Sequence, residues 1–303
     1  MNPVAAIVVT YNRKDLLRRN LSCLLAQEGA ACDIFVMDNA STDGTEQMVR
    51  EDFDLPSVKY VNTGANLGGA GGFEVGVEHA VALGYEYVWI MDDDTLPYPT
   101  ALAELLKARE IVGDDWGFLS SVAYWTDGSI CRMNIQKKNI FKHVGKRVYG
   151  RDVEPIIMGS FVSLLVPSKV VLDVGLPIGE YFVWTDDYEF TGRISSRYPC
   201  YMVPSSKVVH AMKTHTRVNL ATDSAERINR YHYIYRNDVH CYRRYGLAGW
   251  LYLLGKDAYT AANVVMNSNG NRLWKIRTVF DGFRDGLSFA PKIPRVNDFK
   301  TEE

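Results

Sequence analysis

The chain has 303 residues, 47% of them hydrophobic and 23% charged, enough to bury the core of one large α/β domain or of two coupled halves. Its formal net charge of -2 excludes a partner gripped mainly through charge, such as duplex nucleic acid, so any phosphate must be met by local groups. The five cysteines, Cys23, Cys32, Cys131, Cys200 and Cys241, are odd in number and lack CxxC spacing, which argues against a disulfide framework or a zinc site and for a reducing compartment.

The opening "MNPVAAIVVTYNR" has no basic stretch ahead of its apolar run and reads as a first strand rather than a secretory leader. Short β-branched runs then alternate with amphipathic stretches: "AAIVVTY", a helix over 14–27, "DIFVMDN", a helix over 43–51, "VKYVNT", a helix over 70–83 and "YEYVWIMDDD". That rhythm predicts an α/β fold with a mostly parallel, doubly wound central sheet and right-handed crossovers. Polar clusters fall at the carboxyl ends of the expected strands, at Thr10 to Arg13, Asp38 to Asp43, Asn66 to Gly72 and Asp92 to Asp94, where ligands bind in such sheets. Residues 117–220 are less regular, mixing strands such as "GFLSSVAYW" and "SFVSLLVP" with turn-rich loops. From about 221 onward the spacing is helical and interleaves arginines with aromatics. The tail 290–303, with Pro291 and Pro294, is expected to be loose. The longest candidate for a membrane span, 246–266, is broken by Lys256 and Asp257, so a soluble or peripheral protein is expected.

Four features can carry chemistry. Asp92, Asp93 and Asp94 are adjacent; like charges that close raise one another's pKa, and a divalent cation removes the cost. Carboxylate oxygens suit Mg2+ or Mn2+ shared with a substrate's phosphates, although an acidic surface turn or helix start also fits. The glycines of "GGAGGFEVG" at 68–76 would let the backbone approach a ligand and aim the next helix N-terminus at it. The stretch is neither GxGxxG nor a P-loop, and a flexible connection is the alternative. In "WTDDYEF", Asp186, Asp187 and Glu189 stand beside Trp184 and Tyr188. A carboxylate over an aromatic surface suits a general base for a sugar hydroxyl, and a helix start capped by Thr185 fits the same residues. His210 ends an apolar run and would supply a metal site's non-carboxylate ligand, with His215 as competitor and a packing role as alternative. The segment 227–245 either meets phosphates or anionic headgroups, or forms a surface face over core aromatics.

In order, "VVTYNR", "MDNASTDGT", "NLGGAGGF", "MDDD", "WTDDYEF" and His210 resemble the motif series of family 2 inverting glycosyltransferases with a GT-A fold, over roughly residues 4–240. "NLGGAGGF" with "WTDDYEF" is most similar to the galactofuranosyltransferase and rhamnosyltransferase branch. The resemblance implies a nucleotide-sugar-binding half at 1–116, an acceptor-binding and catalytic half at 117–220 and a C-terminal helical region at 221–303. It implies that Thr10, Tyr11, Arg13, Asp38 and Asn66 contact the nucleotide or donor sugar, with Gly68, Gly69 and Asp93 beside them. Asp92, Asp94 and His210 would hold Mn2+ or Mg2+ on the diphosphate, Asp187 would be the general base, and Asp186 would place acceptor hydroxyls. The implied donor is UDP-galactofuranose, with dTDP-rhamnose as alternative. The implied acceptor is a bacterial-type surface glycan or glycolipid, met in the cytoplasm at the inner membrane face. Processive synthases of the superfamily carry QxxRW, and "QMVRE" at 47–51 lacks the tryptophan, which implies addition of one or a few sugars. Some chain-extending galactofuranosyltransferases carry paired tryptophans in the acceptor region, where "MGSFVSLL" offers only Phe161. A sugar-phosphate nucleotidyltransferase would need a GxGTR-type loop, which "VVTYNRKD" is not, and a non-catalytic binding module would not need Asp92, Asp94, Asp187 and His210 together.

Overall fold

Strand β1 (Val4–Thr10) is buried along its whole length: Ala5, Ile7 and Val9 join one apolar cluster, while Val4, Ala6 and Val8 join another. Alternate side chains buried on opposite faces mark a strand covered on both sides by helices. The computed structural model describes residues 2–212, 219–268 and 270–296, and its first part follows the expected rhythm. β1 leads through α1 (Lys14–Leu25), β2 (Asp33–Asp38), α2 (Thr45–Asp52), β3 (Val58–Asn62), α3 (Gly68–Ala82) and β4 (Tyr87–Asp92). These four strands are all parallel, in the order β3-β2-β1-β4.

Beyond β4 the chain makes a short β5 (Thr95–Pro97), then α4 (Ala101–Val112) and β6 (Leu119–Tyr124). The small β7 (Lys137–Asn139), β8 (Lys142–His143) and β9 (Glu154–Pro155) precede β10 (Leu164–Pro167), α5 (Ser168–Val174), α6 (Asp186–Ser195) and β11 (Tyr201–His210). The sheet continues β4-β10-β6-β11-β5, with β9 also on β11. β10 runs antiparallel to both β4 and β6, whereas β6 and β11 are parallel. Three helices follow, α7 (Ala225–Arg243), α8 (Gly246–Asn267) and α9 (Arg272–Ser288).

Two expectations are corrected. The helix expected over 70–83 starts at Gly68, so the glycines form its first turns instead of a loop ahead of it. Glycine inside a helix costs about 0.5–1 kcal/mol relative to alanine, and close packing explains its use here. A Cβ on Gly72 would lie 2.6 Å from Val9 Cγ1, and one on Gly76 2.4 Å from Ile7 Cγ2, so α3 approaches β1 at a distance that only glycine permits. The tail is also held as far as it is described. Leu176 N–H donates to Pro294 O at 2.9 Å, the Arg295 guanidinium donates to Asp173 O at 2.7 Å, and Val296 packs on the core. Residues 297–303 lie outside the described residues.

The register levels the strand ends. Thr10 stands opposite Asp38, Asp38 opposite Asn62, and Val9 opposite Asp92. β5 turns back beside β11 and sets Thr95 opposite His210, which carries the end of a strand formed more than a hundred residues later over the acidic turn.

Candidate active site

The three aspartates face different partners. Asp92 ends β4, and Asp93 and Asp94 form the turn into β5. Thr10 Oγ1 donates to Asp93 at 2.8 Å, and the Arg13 guanidinium bridges Asp93 at 3.2 Å and Asp94 at 3.0 Å. Asp92, Asp94 and His210 each offer one ligand atom, all within 4.8 Å of one another. His210 Nε2 is 3.0 Å from Asp94 Oδ1, an ion pair once the imidazole is protonated, although its N–H is not aligned on that buried oxygen.

A polar shell sets the imidazole. Asn134 Nδ2 donates to Ser160 Oγ at 3.0 Å, which orients its carbonyl oxygen toward His210 Nδ1 at 2.8 Å. His210 Nδ1–H therefore donates to Asn134 and Nε2 faces the carboxylates, the arrangement that second-shell partners give metal-binding histidines. Cys131 Sγ also donates to Asn134 Oδ1, at 3.0 Å.

Electrostatics show excess negative charge. Burial and then the charge of Asp94 push Asp92 up to about 7. Burial lifts Asp93 to about 6 against the pull of Arg13. Burial would also raise Asp94, but His210 and Arg13 outweigh it and hold it below its ordinary value. Burial alone would lower His210; Asp94 and Cys131 outweigh it and raise the imidazole to about 10. Two carboxylates and an imidazole whose ligand atoms lie within 4.8 Å of one another make a donor set that a divalent cation fits.

The glycine-rich helix start is held by Asn39, at the end of β2, and by Phe182, in the loop before α6. Asn39 Nδ2 donates to Gly68 O at 2.8 Å, and Gly68 N–H donates to Asn66 Oδ1 at 2.9 Å. Gly68 has φ +72°, and a Cβ there would fall 2.0 Å from Phe182 O; Gly69 has nothing within 4 Å of a Cβ. Asp38 is engaged by Tyr60 Oη–H at 2.6 Å and Ser41 N–H at 2.9 Å. Tyr11 and Asn66 are exposed.

The loop before α6 is strained. Phe182, Trp184 and Thr185 all have φ between 63° and 65°, costing about 1–3 kcal/mol each unless the surroundings enforce them. α7 supplies that enforcement. Asn237 Nδ2 donates to the carbonyls of Tyr181, Val183 and Trp184 at 3.0, 3.1 and 2.9 Å. Thr185 occupies the N-cap position without capping. Its hydroxyl instead donates to Asp238 at 2.9 Å, and Asp238 is bridged by Lys256 of α8. The cap expected of Thr185 is therefore replaced by a tertiary contact.

Asp186 and Asp187 open α6. Burial lifts Asp186 to about 6. Asp187 keeps some exposure, but burial, then Asp186 and Asp92, hold it well above the ordinary carboxylate range, against the opposing charge of Lys137. Asp187 is thus near enough to Asp92 for the two charges to act on each other. Glu189 does not join them; it is clamped by Arg193 at 2.9 Å and Arg244 at 3.3 Å. Trp184 leans on Tyr231. Phe161 is a core residue packed between Phe73 and Phe190. Lys137, buried, donates to Tyr242 Oη at 2.7 Å beneath the rings of Tyr188, Tyr242 and Tyr252.

Asn134, Lys137, Asn237 and Asp238 were not anticipated, because isolated polar residues carry no spacing signal. His215 lies outside the described residues. The arginine and aromatic segment divides: Tyr231, Tyr235 and Tyr242 are core, and Arg236 donates to Glu180 O at 2.6 Å.

The model of glycosyl transferase family 2 matches residues 5–159. Galactofuranosyltransferase GlfT1 of Mycolicibacterium smegmatis is 37% identical over 197 residues, 63% of this chain and 65% of the relative. GlfT1 of Mycobacterium tuberculosis is 42% identical over 204 residues, 63% of this chain and 64% of the relative. The matches thus span just under two thirds of these relatives. Among solved structures, S. aureus TarS 1-349 in complex with UDP has a TM-score of 0.55 at 14% identity, covering 96% of this chain and 73% of that one. Mannosyltransferase PcManGT from Pyrobaculum calidifontis, in complex with GDP-Man and Mn2+, has a TM-score of 0.58 at 20% identity, covering 96% and 76%.

Proposed function

Because the chain belongs to glycosyl transferase family 2 and has the GT-A fold, we propose that it transfers galactofuranose from UDP-galactofuranose, with inversion, to a glycan or glycolipid acceptor. The observation that carries this reading is the Asp92–Asp94–His210 donor set, together with a carboxyl, Asp187, that is held at raised proton affinity and feels the charge of Asp92. The GlfT1 relatives support the donor sugar, and the rhamnosyltransferase alternative is not favoured by them. Residues 1–116 would then handle the donor, with Thr10, Tyr11, Arg13, Asp38, Asn66, Gly68, Gly69 and Asp93 near it, and 117–220 the acceptor.

Asp92, Asp94 and His210 would hold Mn2+ or Mg2+; the cation would neutralise the diphosphate, and PcManGT, solved with Mn2+ and GDP-Man, supports that choice. Its charge beside Asp92 would also favour ionised Asp187. Asp187 accepts the proton of the acceptor hydroxyl as that oxygen attacks the anomeric carbon. The bond from that carbon to the diphosphate oxygen breaks with its electron pair, and UDP departs from the opposite face. Asp186 orients the acceptor. The experiment is transfer from UDP-galactofuranose to a galactose- or rhamnose-terminated acceptor with Mn2+ present. Asp187→Asn should lower kcat by about 10²–10⁴-fold, and full activity in that variant would remove the base assignment. UDP should raise the melting temperature more than dTDP.

A further inference from the structure

The glycine-rich helix α3 makes close contact on two sides. Gly72 and Gly76 press on Val9 and Ile7 of β1, and Val9 stands opposite Asp92. Ala70, Gly71 and Glu74, three and four positions apart, share a different side of the helix and meet the loop that leads to Asp186. The Ala70 N–H, in a first turn where no helical acceptor exists, donates to Phe182 O at 3.2 Å, and Glu74 Oε2 accepts the Gly179 N–H at 2.6 Å. A Cβ on Gly179 would lie 2.3 Å from Glu74 Oε2 and 3.1 Å from Gly71 Cα, so the two backbones meet where neither residue has a side chain. Ala70, Ile178 and Tyr181 close the joint as one buried apolar cluster. Burial raises the Glu74 carboxyl above its ordinary value, the Gly179 N–H opposes that rise, and Glu78 and Glu180 add to it. Of these influences, only the N–H favours the carboxylate.

We infer that α3 is a rigid spacer between the proposed metal ligands and the proposed base, and that Glu74 is a positioning residue for Asp187, acting through the 179–185 loop. The inference rests on the reaction proposed above and assigns a residue that the reaction itself does not name. Two helices divide the main-chain polar groups of this loop. Arg236 and Asn237 of α7 donate to the carbonyls of Glu180, Tyr181, Val183 and Trp184, whereas α3 takes the Phe182 carbonyl and the Gly179 N–H. Each step from Asp92 to Val9, from Val9 to Gly72 and from Glu74 to Gly179 is a direct contact. The spacing between the metal ligands and Asp187 is therefore carried by packed elements, and loss of the Glu74 contact releases the start of the strained segment. Reacting groups tolerate little displacement, since about 1 Å of misplacement can cost about 100-fold in rate. This role needs no contact between the glycines and the donor.

In the full chain, Glu74→Ala should lower kcat for transfer from UDP-galactofuranose by about 10–100-fold, with Mn2+ and UDP affinities by calorimetry within about twofold of wild type. Glu74→Gln keeps an oxygen that can accept the Gly179 N–H and should recover most of the loss. Gly179→Ala, whose methyl would displace the Glu74 carboxylate, should repeat the loss with Glu74 in place. In an Asp187→Asn background Glu74→Ala should cost less than about threefold, because the two residues act through one step. Amide hydrogen exchange should quicken over 179–185 in both Glu74→Ala and Gly179→Ala. The inference is overturned if Glu74→Ala keeps the wild-type kcat, if Glu74→Gln falls as far as the alanine variant, or if the full loss persists without the Asp187 carboxylate. It is equally overturned if Mn2+ or UDP binding falls in step with kcat. A wild type that transfers no sugar would count against the proposed reaction, whereas unchanged exchange over 179–185 in Glu74→Ala would count against the positioning role alone.

Discussion

Adjacent glycines at the start of α3 should respond in opposite ways to one methyl group. At Gly68 the backbone has φ +72°, and a Cβ would sit 2.0 Å from Phe182 O and 2.7 Å from Phe182 C. A left-handed alanine costs about 1–2 kcal/mol. Overpacking against main-chain atoms that cannot rotate away adds about 1–3 kcal/mol. Gly68→Ala should thus destabilise the fold by about 2–5 kcal/mol. It should also displace the 182–185 loop ahead of Asp186, because Phe182 O accepts the Ala70 N–H at 3.2 Å. At Gly69 nothing lies within 4 Å of the new Cβ and the residue is helical, so Gly69→Ala should gain roughly 0.5–1 kcal/mol from the stiffer unfolded chain. Urea denaturation followed by tryptophan fluorescence measures both, since Trp184 is in the affected loop. A loss below about 1 kcal/mol in Gly68→Ala, or similar losses in the two variants, would refute the packing argument.

Two further outcomes are expected. Asn134→Ala removes the acceptor that fixes His210 and should weaken Mn2+ binding about 10–100-fold by calorimetry; unchanged affinity would detach Asn134 from the site. Asp257 is raised to about 7, first by burial and then by Asp238, and its buried Oδ1 has no partner. A carboxyl raised on folding adds stability that is complete below its unfolded value of 3.8 and lost as pH rises through about 7. Asp257→Asn should therefore be more stable than wild type by about 1–2 kcal/mol at pH 8, after discounting for partial exposure. Melting curves from pH 4 to 8 should show that gain fade as pH falls, and a gain that grows toward low pH would reverse the assignment.

The parallel half of the sheet was legible because β-branched runs and amphipathic stretches alternate with clear periods. The insertion of β10 between β4 and β6 was not, since nothing local in "LLVP" specifies partners so distant in sequence. Glycine composition fits a ligand-binding loop as well as a close helix-to-sheet approach; both uses demand the absence of Cβ, and only the packing of Gly72 on Val9 and Gly76 on Ile7 separates them. The acidic turn and His210 could be named from the sequence, but their meeting depends on the pairing of β5 with β11. Asn134, Asn237 and Asp238 act through carbonyls, an imidazole and a hydroxyl contributed by other segments, so their importance exists only in three dimensions.

The link from Lys256 to Asp238 to Thr185 also has a meaning in time. Thr185 takes its partner 53 positions downstream, and that partner takes its own 18 positions further on. As the chain leaves the ribosome, β1 to β4 and the acidic turn can assemble first, and β11 can then bring His210 to them. The strained start of α6 gains its last anchor only after α8 has emerged, so a nascent chain carries every proposed catalytic carboxylate before it can hold Asp186 and Asp187 in place.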